Sequence, residues 1–507
     1  MKTNSFIAVE NNTVVRLAQI PVIDYATFTE NVDELLFDKT RHCVSYYGYN
    51  QGGYLRLICC IADDAIAKIY LFSYYVNITK DKSLPSLTPK HFSLHNFERE
   101  IHENFGIDFI GHPWLKGVRF PFDASDKSKT MDNYPFYEIE SDELHEVGVG
   151  PVHAGVIEPG HFRFICNGEK VIHLEIQLGY QHRGVEELFK TKTNLQRHIL
   201  SENIAGDTAI GHSLAYVSLM ETLAGIKVSE VLQIERCIAL ELERIAVHIG
   251  DTAALCTDVA YQLGQVVNEA LRTSIINTTQ KWCGNRFGKG GIRTDGTNYP
   301  MTDEFIYYMM DILEDVLKRY LEMSDRMLNL SSVNARFDDV GTVTTKQAEL
   351  VGAVGMAART CDIKRDIRAS HPFQYYKNLK YDAVTLDSGD VLARATLRRM
   401  EVERSVAVIR QLVNEHKKFS ENYYSKKPVY NIRLAGESFA ISLTEGWRGE
   451  ICHTAITGRS GEILHYKIKD PSFHNWMALA IAVRNQEISD FPVCNKSFNL
   501  SYCGNDL

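Results

Sequence analysis

The sequence predicts an α+β chain: a small N-terminal α/β domain, followed by a mainly α-helical domain that carries small antiparallel sheets. Two kinds of pattern support this prediction. Residues 42–75 are rich in aromatic and β-branched residues and are interrupted by turns, which is typical of consecutive strands. Apolar residues recur at helical spacing in three later stretches, at about 229–250, 302–330 and 390–418.

Composition limits the class of protein. A chain of 507 residues is too long for one ordinary core. Its formal charge of −9 argues against a nucleic-acid partner, because phosphate contacts require a basic surface. The 11 cysteines include no CxxC pair, which favours reduced thiols in a cytosolic compartment. No apolar run has the roughly 20 residues of a membrane helix, and the start lacks the apolar core of a secretory signal. We therefore expect a soluble protein, or one that is peripheral on a membrane partner.

The best candidate for a linker is the polar, acidic stretch 123–145. It places the predicted domains at 1–125 and 146–507, with the linker at 126–145. Within the first domain, a helix is predicted at about 90–105, with Gly106 ending it. The first 30 residues show no pattern that assigns them to an element.

The second domain is predicted to open with a hairpin that turns at Asn167 and Gly168. Small residues from Ala205 to Gly211 suggest a helix that another body can approach closely. Residues 431–468 alternate and contain several glycines, so we expect a small antiparallel sheet. The sequence then predicts one more helix and an extended tail.

Polar residues cluster after Gly179, within the stretch LGYQHRGVEELF at 178–189. If residues 181–188 are helical, His182 and Glu186 lie four residues apart on one face. An acid and an imidazole close together in a pocket can pass protons, because burial and nearby charge bring their pKa values toward neutrality. The simpler alternative is a local ion pair of Arg183 with a neighbouring glutamate, which contributes little energy.

This stretch belongs to a series of motifs that resembles two related families. The series continues with GPVHAGVIEPGHFRF, GHSLAY, LELERIAVHIGD, DIRASHPF, GDVLAR, EGWRGE and DPSFHNW. They resemble the 49-kDa-type core subunit of respiratory complex I and the large subunit of energy-converting [NiFe]-hydrogenases of the formate-hydrogenlyase type. The earlier stretch FEREIHENFGIDFIGHPWLKGVRFPF, at 97–122, resembles the 30-kDa-type subunit of complex I. A fusion of both parts in one chain is the arrangement of formate-hydrogenlyase-type large subunits.

The resemblance raises the question of a nickel–iron centre, which requires four thiolates. The family supplies them as two CxxC pairs. Alignment of the motifs places those pairs at residues that are not cysteine: Ala205, Thr208, Ser501 and Gly504. Because none of these side chains is a thiolate, we predict that the chain holds no metal. A hydrogenase with displaced ligands is the less favoured alternative, since Cys503 lies one residue off register and Cys494 lies far from the helix pair in sequence.

The resemblance to complex I implies a cavity for a quinone. His153 matches the first histidine of a loop that lines this cavity, and Asp258 matches an acidic residue there. The second loop histidine aligns on Ile157, and the tyrosine that contacts the quinone headgroup aligns on Gly206. His153 and Asp258 are therefore the candidate cofactor-binding residues. Each also has a structural interpretation, His153 as a loop histidine bonded to backbone and Asp258 as a turn residue.

The resemblance implies roles for the polar cluster as well. His182 and Arg183 match a pair near the iron–sulfur cluster of a partner subunit, and Glu186 matches a residue placed for proton transfer. The chain is thus expected to be the core subunit of a membrane-associated, NADH:quinone-oxidoreductase-like complex. It would bind no cofactor of its own and would contact a small iron–sulfur subunit and proton-translocating membrane subunits. We expect it at the cytoplasmic side of the membrane. The alternative is a non-catalytic scaffold that joins these subunits.

Overall fold

The computed structural model describes residues 5–155, 157–419 and 426–507. The strands are β1 Ile7–Val9, β2 Thr13–Arg16, β3 Arg41–Gln51, β4 Tyr54–Asp63, β5 Lys68–Val76, β6 Ser83–Pro85, β7 Asp108–Ile110, β8 His145–Val149, β9 His161–Asn167, β10 Lys170–Gln177, β11 Ser438–Glu445, β12 Glu450–Thr457 and β13 Ile463–Lys469. The helices are α1 Tyr25–Phe37, α2 His95–Phe105, α3 Val185–Thr191, α4 Asn194–Ser201, α5 Ala209–Ala224, α6 Glu230–Asp258, α7 Gln262–Cys283, α8 Asp303–Leu328, α9 Ser331–Phe337, α10 Thr345–Val351, α11 Gly355–Arg359, α12 Ile367–Ser370, α13 Val391–His416, α14 Ser472–Ala482, α15 Phe491–Phe498 and α16 Tyr502–Asp506. This mixture of helices with small, mainly antiparallel sheets confirms the predicted fold class.

Most predicted elements are present. The strands predicted at 42–75 are β3, β4 and β5, and the hairpin at Asn167 and Gly168 joins β9 to β10. The three long periodic stretches are α6, α8 and α13. Gly106 ends α2 in the left-handed conformation, at φ 69°, and donates its N–H to the carbonyl of His102. The period of the apolar residues was therefore a sufficient guide to the long elements.

The N-terminal segment that the sequence could not assign contributes a strand to the C-terminal sheet. The order of this sheet is β13-β12-β11-β2, with β2 antiparallel to β11. Asn11 supports the joint, since its amide Nδ2 donates to the carbonyls of His371 and Leu443. The two predicted domains thus share one sheet, and their boundaries remain a prediction.

The N-terminal sheet, ordered β1-β5-β4-β3, packs against the C-terminal sheet. Tyr47 of β3 accepts a hydrogen bond from Thr454 of β12 (3.1 Å) and stacks on His465 of β13 at 5.0 Å between ring centroids. Buried charges also cross this junction, since Glu450 contacts both His42 and Lys469. The interface between the two parts is therefore both apolar and ionic.

Two predictions about local structure are wrong. Ala205 and Gly206 lie in a turn, and α5 begins only at Ala209. The carboxylate of Glu243, on α6, accepts the free N–H groups of Ile210 and Gly211 at this helix start (2.7 and 3.1 Å). A cap from another helix is invisible to a local sequence pattern.

The predicted extended tail instead folds into α15 and α16. A proline in the first turn of α15 is compatible with a helix start, because its missing N–H has no partner there in any case. Ser501 caps α16 by accepting the N–H of Gly504 (2.9 Å). The proline and the Ser501 cap thus start two short helices, and the last residues of the tail are buried in the interior.

Candidate functional site

The polar cluster lies on a tight loop that leads from β10 into α3. Gly179 is at φ 102°, and a Cβ there would lie 3.2 Å from the carbonyl oxygen of Arg119. Gly184, at φ 67°, precedes α3, which begins at Val185. His182 precedes the helix, so the condition under which His182 and Glu186 would share a helical face is not met. The loop brings the two side chains to one cleft by a different route.

The C-terminal residues hold this loop in place. The two carboxylate oxygens of Asp506 accept the N–H groups of Gly179 (2.8 Å) and Gln181 (2.9 Å). The Nδ1 of His182 donates to the carbonyl of Asp506 (2.8 Å), and the N–H of Arg183 donates to the carbonyl of Leu507 (2.8 Å). The geometry of the cluster thus depends on residues more than 300 positions away.

Arg183 ties the loop to two further segments. Its guanidinium donates to the carbonyls of Asn203 (2.7 Å), Ile204 (3.0 Å) and Cys503 (3.1 Å). The residue nevertheless remains exposed. Its positive charge is therefore fixed in position while it stays accessible to a partner.

Glu186 lies against the edge of the C-terminal sheet. Because β13 is an edge strand, the N–H of Ile468 is free to donate to Oε1 of Glu186 (2.8 Å). The ammonium group of Lys467 lies 3.0 Å from the same oxygen. Burial opposes ionisation of Glu186, but Lys467 and Arg119 outweigh it and hold its pKa below the usual value. The carboxylate is therefore ionised at neutral pH.

Behind Glu186 lies a buried ionic group that the motifs do not single out. Glu100, on α2, contacts both Lys467 and Arg119 through Oε1. Its second oxygen, Oε2, is buried and has no hydrogen-bond partner within the described ranges. Burial lowers the pKa of Lys467 to about 8, and the neighbouring Glu186 opposes that shift. Glu100 and Arg119 both lie in the 97–122 motif.

These residues surround a cleft of about 870 Å³ at the junction of the two parts of the chain. His182, Arg183 and Glu186 line it together with Glu100, Arg119 and His465. Burial lowers the pKa of His465 to about 4, so the imidazole is neutral, and its Nε2 has no partner among the described residues. The cleft therefore combines a fixed carboxylate, a fixed guanidinium and two unpartnered polar atoms, which is a suitable set for moving protons.

His153 and Asp258 do not line this cleft. The Nε2 of His153 lies 2.9 Å from the carbonyl of Gly160, so the backbone satisfies the imidazole within its own loop. Asp258 is the last residue of α6, and it is exposed. Both geometries agree with the structural interpretations, and the assignment of either residue to a cofactor remains a prediction.

The four positions that correspond to metal-ligating cysteines do not fit a nickel–iron centre. The hydroxyl of Thr208 accepts from Arg448 (3.1 Å), and the hydroxyl of Ser501 caps α16. A Cβ at Gly504 would lie 2.8 Å from Oδ2 of Asp470, so a carboxylate fills the space where a side chain would project. A guanidinium and a carboxylate thus stand where soft thiolates would be needed.

The displaced cysteines are poor ligands as well. Cys503 and Cys494 are buried, and burial raises the pKa of their thiols to about 11 and about 12. Within the described ranges, no three His, Cys, Asp or Glu side chains are grouped so that they could hold a metal ion. The donor chemistry gives no support to the hydrogenase alternative.

Comparison with known families identifies the class of protein. Residues 25–128 match the family described as the 30 Kd subunit of respiratory-chain NADH dehydrogenase, and residues 264–506 match the 49 Kd subunit. The chain is therefore a fused 30-kDa/49-kDa-type subunit of the group of oxidoreductases that comprises complex I and its hydrogenase relatives.

Individual relatives place the chain within that group. Formate hydrogenlyase subunit 5 of Escherichia coli is 25% identical over 91% of this chain and 86% of its own length. The alpha subunit of the membrane-bound hydrogenase of Pyrococcus furiosus is 27% identical over 70% of this chain and 85% of its own. An NADH-quinone oxidoreductase subunit of Dehalococcoides mccartyi is 27% identical over 68% of this chain and 93% of its own. The first of these alignments spans both parts of the chain, as a fused subunit requires.

These relatives are subunits of multisubunit oxidoreductases, so partner subunits are implied for this chain too. Across the described ranges, the helices lack an apolar stretch that would reach from one side of a bilayer to the other.

Proposed function

We propose that the chain is the core subunit of a membrane-associated, complex-I-like oxidoreductase that couples electron transfer in a partner iron–sulfur subunit to proton transfer at the cleft. The observation that carries the proposal is the placement of His182, Arg183 and Glu186 around one cleft, with Arg183 exposed. An accessible fixed cation stabilises added electrons nearby, and a carboxylate can exchange protons as the charge changes.

The chain would contribute this cleft and no nickel–iron centre of its own. The occupation of the former ligand positions by Arg448 and Asp470 supports this part of the proposal. The chain would associate peripherally with proton-translocating membrane subunits on the cytoplasmic side. A quinone is the first candidate for the electron acceptor, although the resemblance to the quinone-binding family is weakened at Gly206 and Ile157.

The test is to compare Glu186→Gln with Glu187→Gln in the assembled complex. Glu187 is the adjacent glutamate and also borders the cleft, but its side chain is exposed and pairs with Lys190 of α3 instead of the buried Lys467. Turnover would be measured with dithionite-reduced methyl viologen as electron donor and decylubiquinone as acceptor, together with subunit composition by native mass spectrometry. We expect Glu186→Gln to abolish turnover in a complex that still assembles, while Glu187→Gln retains both.

Loss of assembly together with turnover in the Glu186 variant would favour the scaffold alternative. Full turnover in an assembled Glu186→Gln complex would remove the proposed proton role.

A further inference from the structure

A row of four buried polar side chains crosses the interior from the cleft to the C-terminal segment. Tyr466 of β13 lies 2.7 Å from Nδ1 of His453 on β12. The Nε2 of His453 lies 3.1 Å from Nδ1 of His212 on α5, and Nε2 of His212 lies 3.0 Å from Oδ2 of Asp470. All four residues are at most 1% exposed.

With both imidazoles neutral, the protons along this row all point the same way. The carboxylate of Asp470 is ionised, because His212 and Arg448 outweigh its burial and lower its pKa, so it can only accept a hydrogen bond. His212 must then carry a proton on Nε2, and in the neutral form that the relay requires its Nδ1 accepts from Nε2 of His453. Burial lowers the pKa of His453 well below its usual value, so this imidazole is neutral. It donates from Nε2 and accepts at Nδ1 from the hydroxyl of Tyr466.

One end of the row lies at the cleft and the other lies beside the C-terminal segment. Tyr466 belongs to the wall of the cleft that Glu186 and His182 also line. At the other end, Asp470 fills the space into which a Cβ at Gly504 would project, and its Oδ1 accepts the N–H of Ser472 (2.8 Å). An aligned row of amphoteric groups thus joins the cleft to a buried carboxylate.

We propose that Tyr466, His453 and His212 form a proton relay, and that Asp470 holds the coupled proton while the partner's cluster is reduced. This inference rests on the function proposed above. Tyr466 passes its proton to Nδ1 of His453 and is reprotonated from the cleft. His453 passes its Nε2 proton to His212, which passes its own Nε2 proton to Asp470. One proton enters, one carboxylic acid forms, no electron moves along the row, and oxidation of the cluster reverses each step.

A purely structural role would require only that Asp470 fix the orientation of His212. The two interpretations differ in the protonation of Asp470 after reduction. Infrared difference spectra of the assembled complex, reduced with dithionite and reoxidised with ferricyanide, report that protonation directly. We expect a carbonyl band of a protonated carboxylic acid upon reduction, and we expect it to be absent in Asp470→Asn.

Tyr466→Phe tests the relay without changing either end of the charge network. Positioned proton donors accelerate transfer by about 10²–10⁴-fold, so the band should form at least about 10-fold more slowly in this variant. Tyr376→Phe is the matched control, because Tyr376 is an equally buried tyrosine whose hydroxyl donates to Glu241 in a different network. We expect wild-type kinetics for the control.

The proposal is overturned if the band persists in Asp470→Asn, if the wild-type complex shows no such band, or if Tyr466→Phe forms it at the wild-type rate. If Asp470→Asn does not assemble, the rate at which the band forms in Tyr466→Phe is by itself the test of the relay. The proposed function has its own criterion: it fails if the cluster's midpoint potential does not depend on pH in the wild-type complex. A pH-dependent potential without the Asp470 band would therefore reject the relay and retain the function.

Discussion

Replacement of Lys467 by methionine tests whether the charges behind the cleft are balanced as the structure indicates. The ammonium group is 4% exposed and contacts Glu100 and Glu186. In Lys467→Met, two carboxylates would share the single guanidinium of Arg119. One buried carboxylate would therefore lose its counter-charge, and we expect the pKa of Glu186 to rise.

Breaking a buried ion pair by removal of one partner costs about 3–5 kcal/mol. We take the lower end, about 3 kcal/mol, because the Glu186 side chain is 24% exposed and solvent screens part of the change. An unfolding entropy of about 2.1 cal/mol/K per residue amounts to roughly 1 kcal/mol/K for 507 residues. The Tm should therefore fall by about 3 °C at neutral pH.

Differential scanning calorimetry of the purified chain at pH 5 and pH 7 would measure this shift. The loss should be smaller at pH 5, because protonation then neutralises the carboxylate that has lost its partner. The matched control is Lys190→Met, which breaks the exposed pair with Glu187 and should cost about 0–1 kcal/mol. An equal loss at both pH values, or a loss no larger than that of the control, would refute this account of the cleft.

Three further predictions follow from the same structure. A proteolytic nick within 126–145 should leave the two fragments associated on size-exclusion chromatography, because β2 remains hydrogen-bonded to β11; separation without denaturant would contradict this. Lys469 and His42 outweigh burial and hold the pKa of Glu450 well below its usual value, so its contribution to stability is present above about pH 4.5 and is lost as the pH falls. In Glu450→Gln, Tm should therefore fall less steeply as the pH is lowered below about 4.5 than it does in the wild type. An unchanged fall would count against a stabilising role for the contacts of Glu450 with Lys469 and His42. Nickel analysis by mass spectrometry should find no stoichiometric nickel in the unmodified chain. The same result is expected for a variant with cysteine at all four positions that correspond to metal ligands, because Arg448 and Asp470 fill the space beside them. These positions are Ala205, Thr208, Ser501 and Gly504.

The long elements were predictable because their signals are local. The apolar period of α6, α8 and α13 lies within each helix, and the turn at Asn167 and Gly168 determines its hairpin. The strand β2 was not predictable from its own four residues, since its pairing partner β11 lies more than 400 positions away. The start of α5 was missed for the same reason, because its cap comes from Glu243.

The site was predictable only in part. The motifs singled out His182, Arg183 and Glu186, and the structure brings these three to one cleft. The counter-charges of Glu186 were missed, because Lys467 alternates with apolar residues along β13 like any strand lysine, and only the packing of α2 and α3 against that strand buries it. Asp470 lies in the DPSFHNW motif, but its contact with His212 depends on how α5 crosses the sheet.

The central claim is that electron transfer in the partner is coupled to a proton at this cleft. The most direct test is the midpoint potential of the partner's iron–sulfur cluster, measured by redox titration with electron paramagnetic resonance between pH 6 and 8 in the assembled complex. Coupling of one proton to one electron predicts a fall of about 59 mV per pH unit, since that is a tenfold change in the equilibrium constant. We expect this slope in the wild-type complex and in Glu187→Gln. A flat line in the wild-type complex would contradict the account.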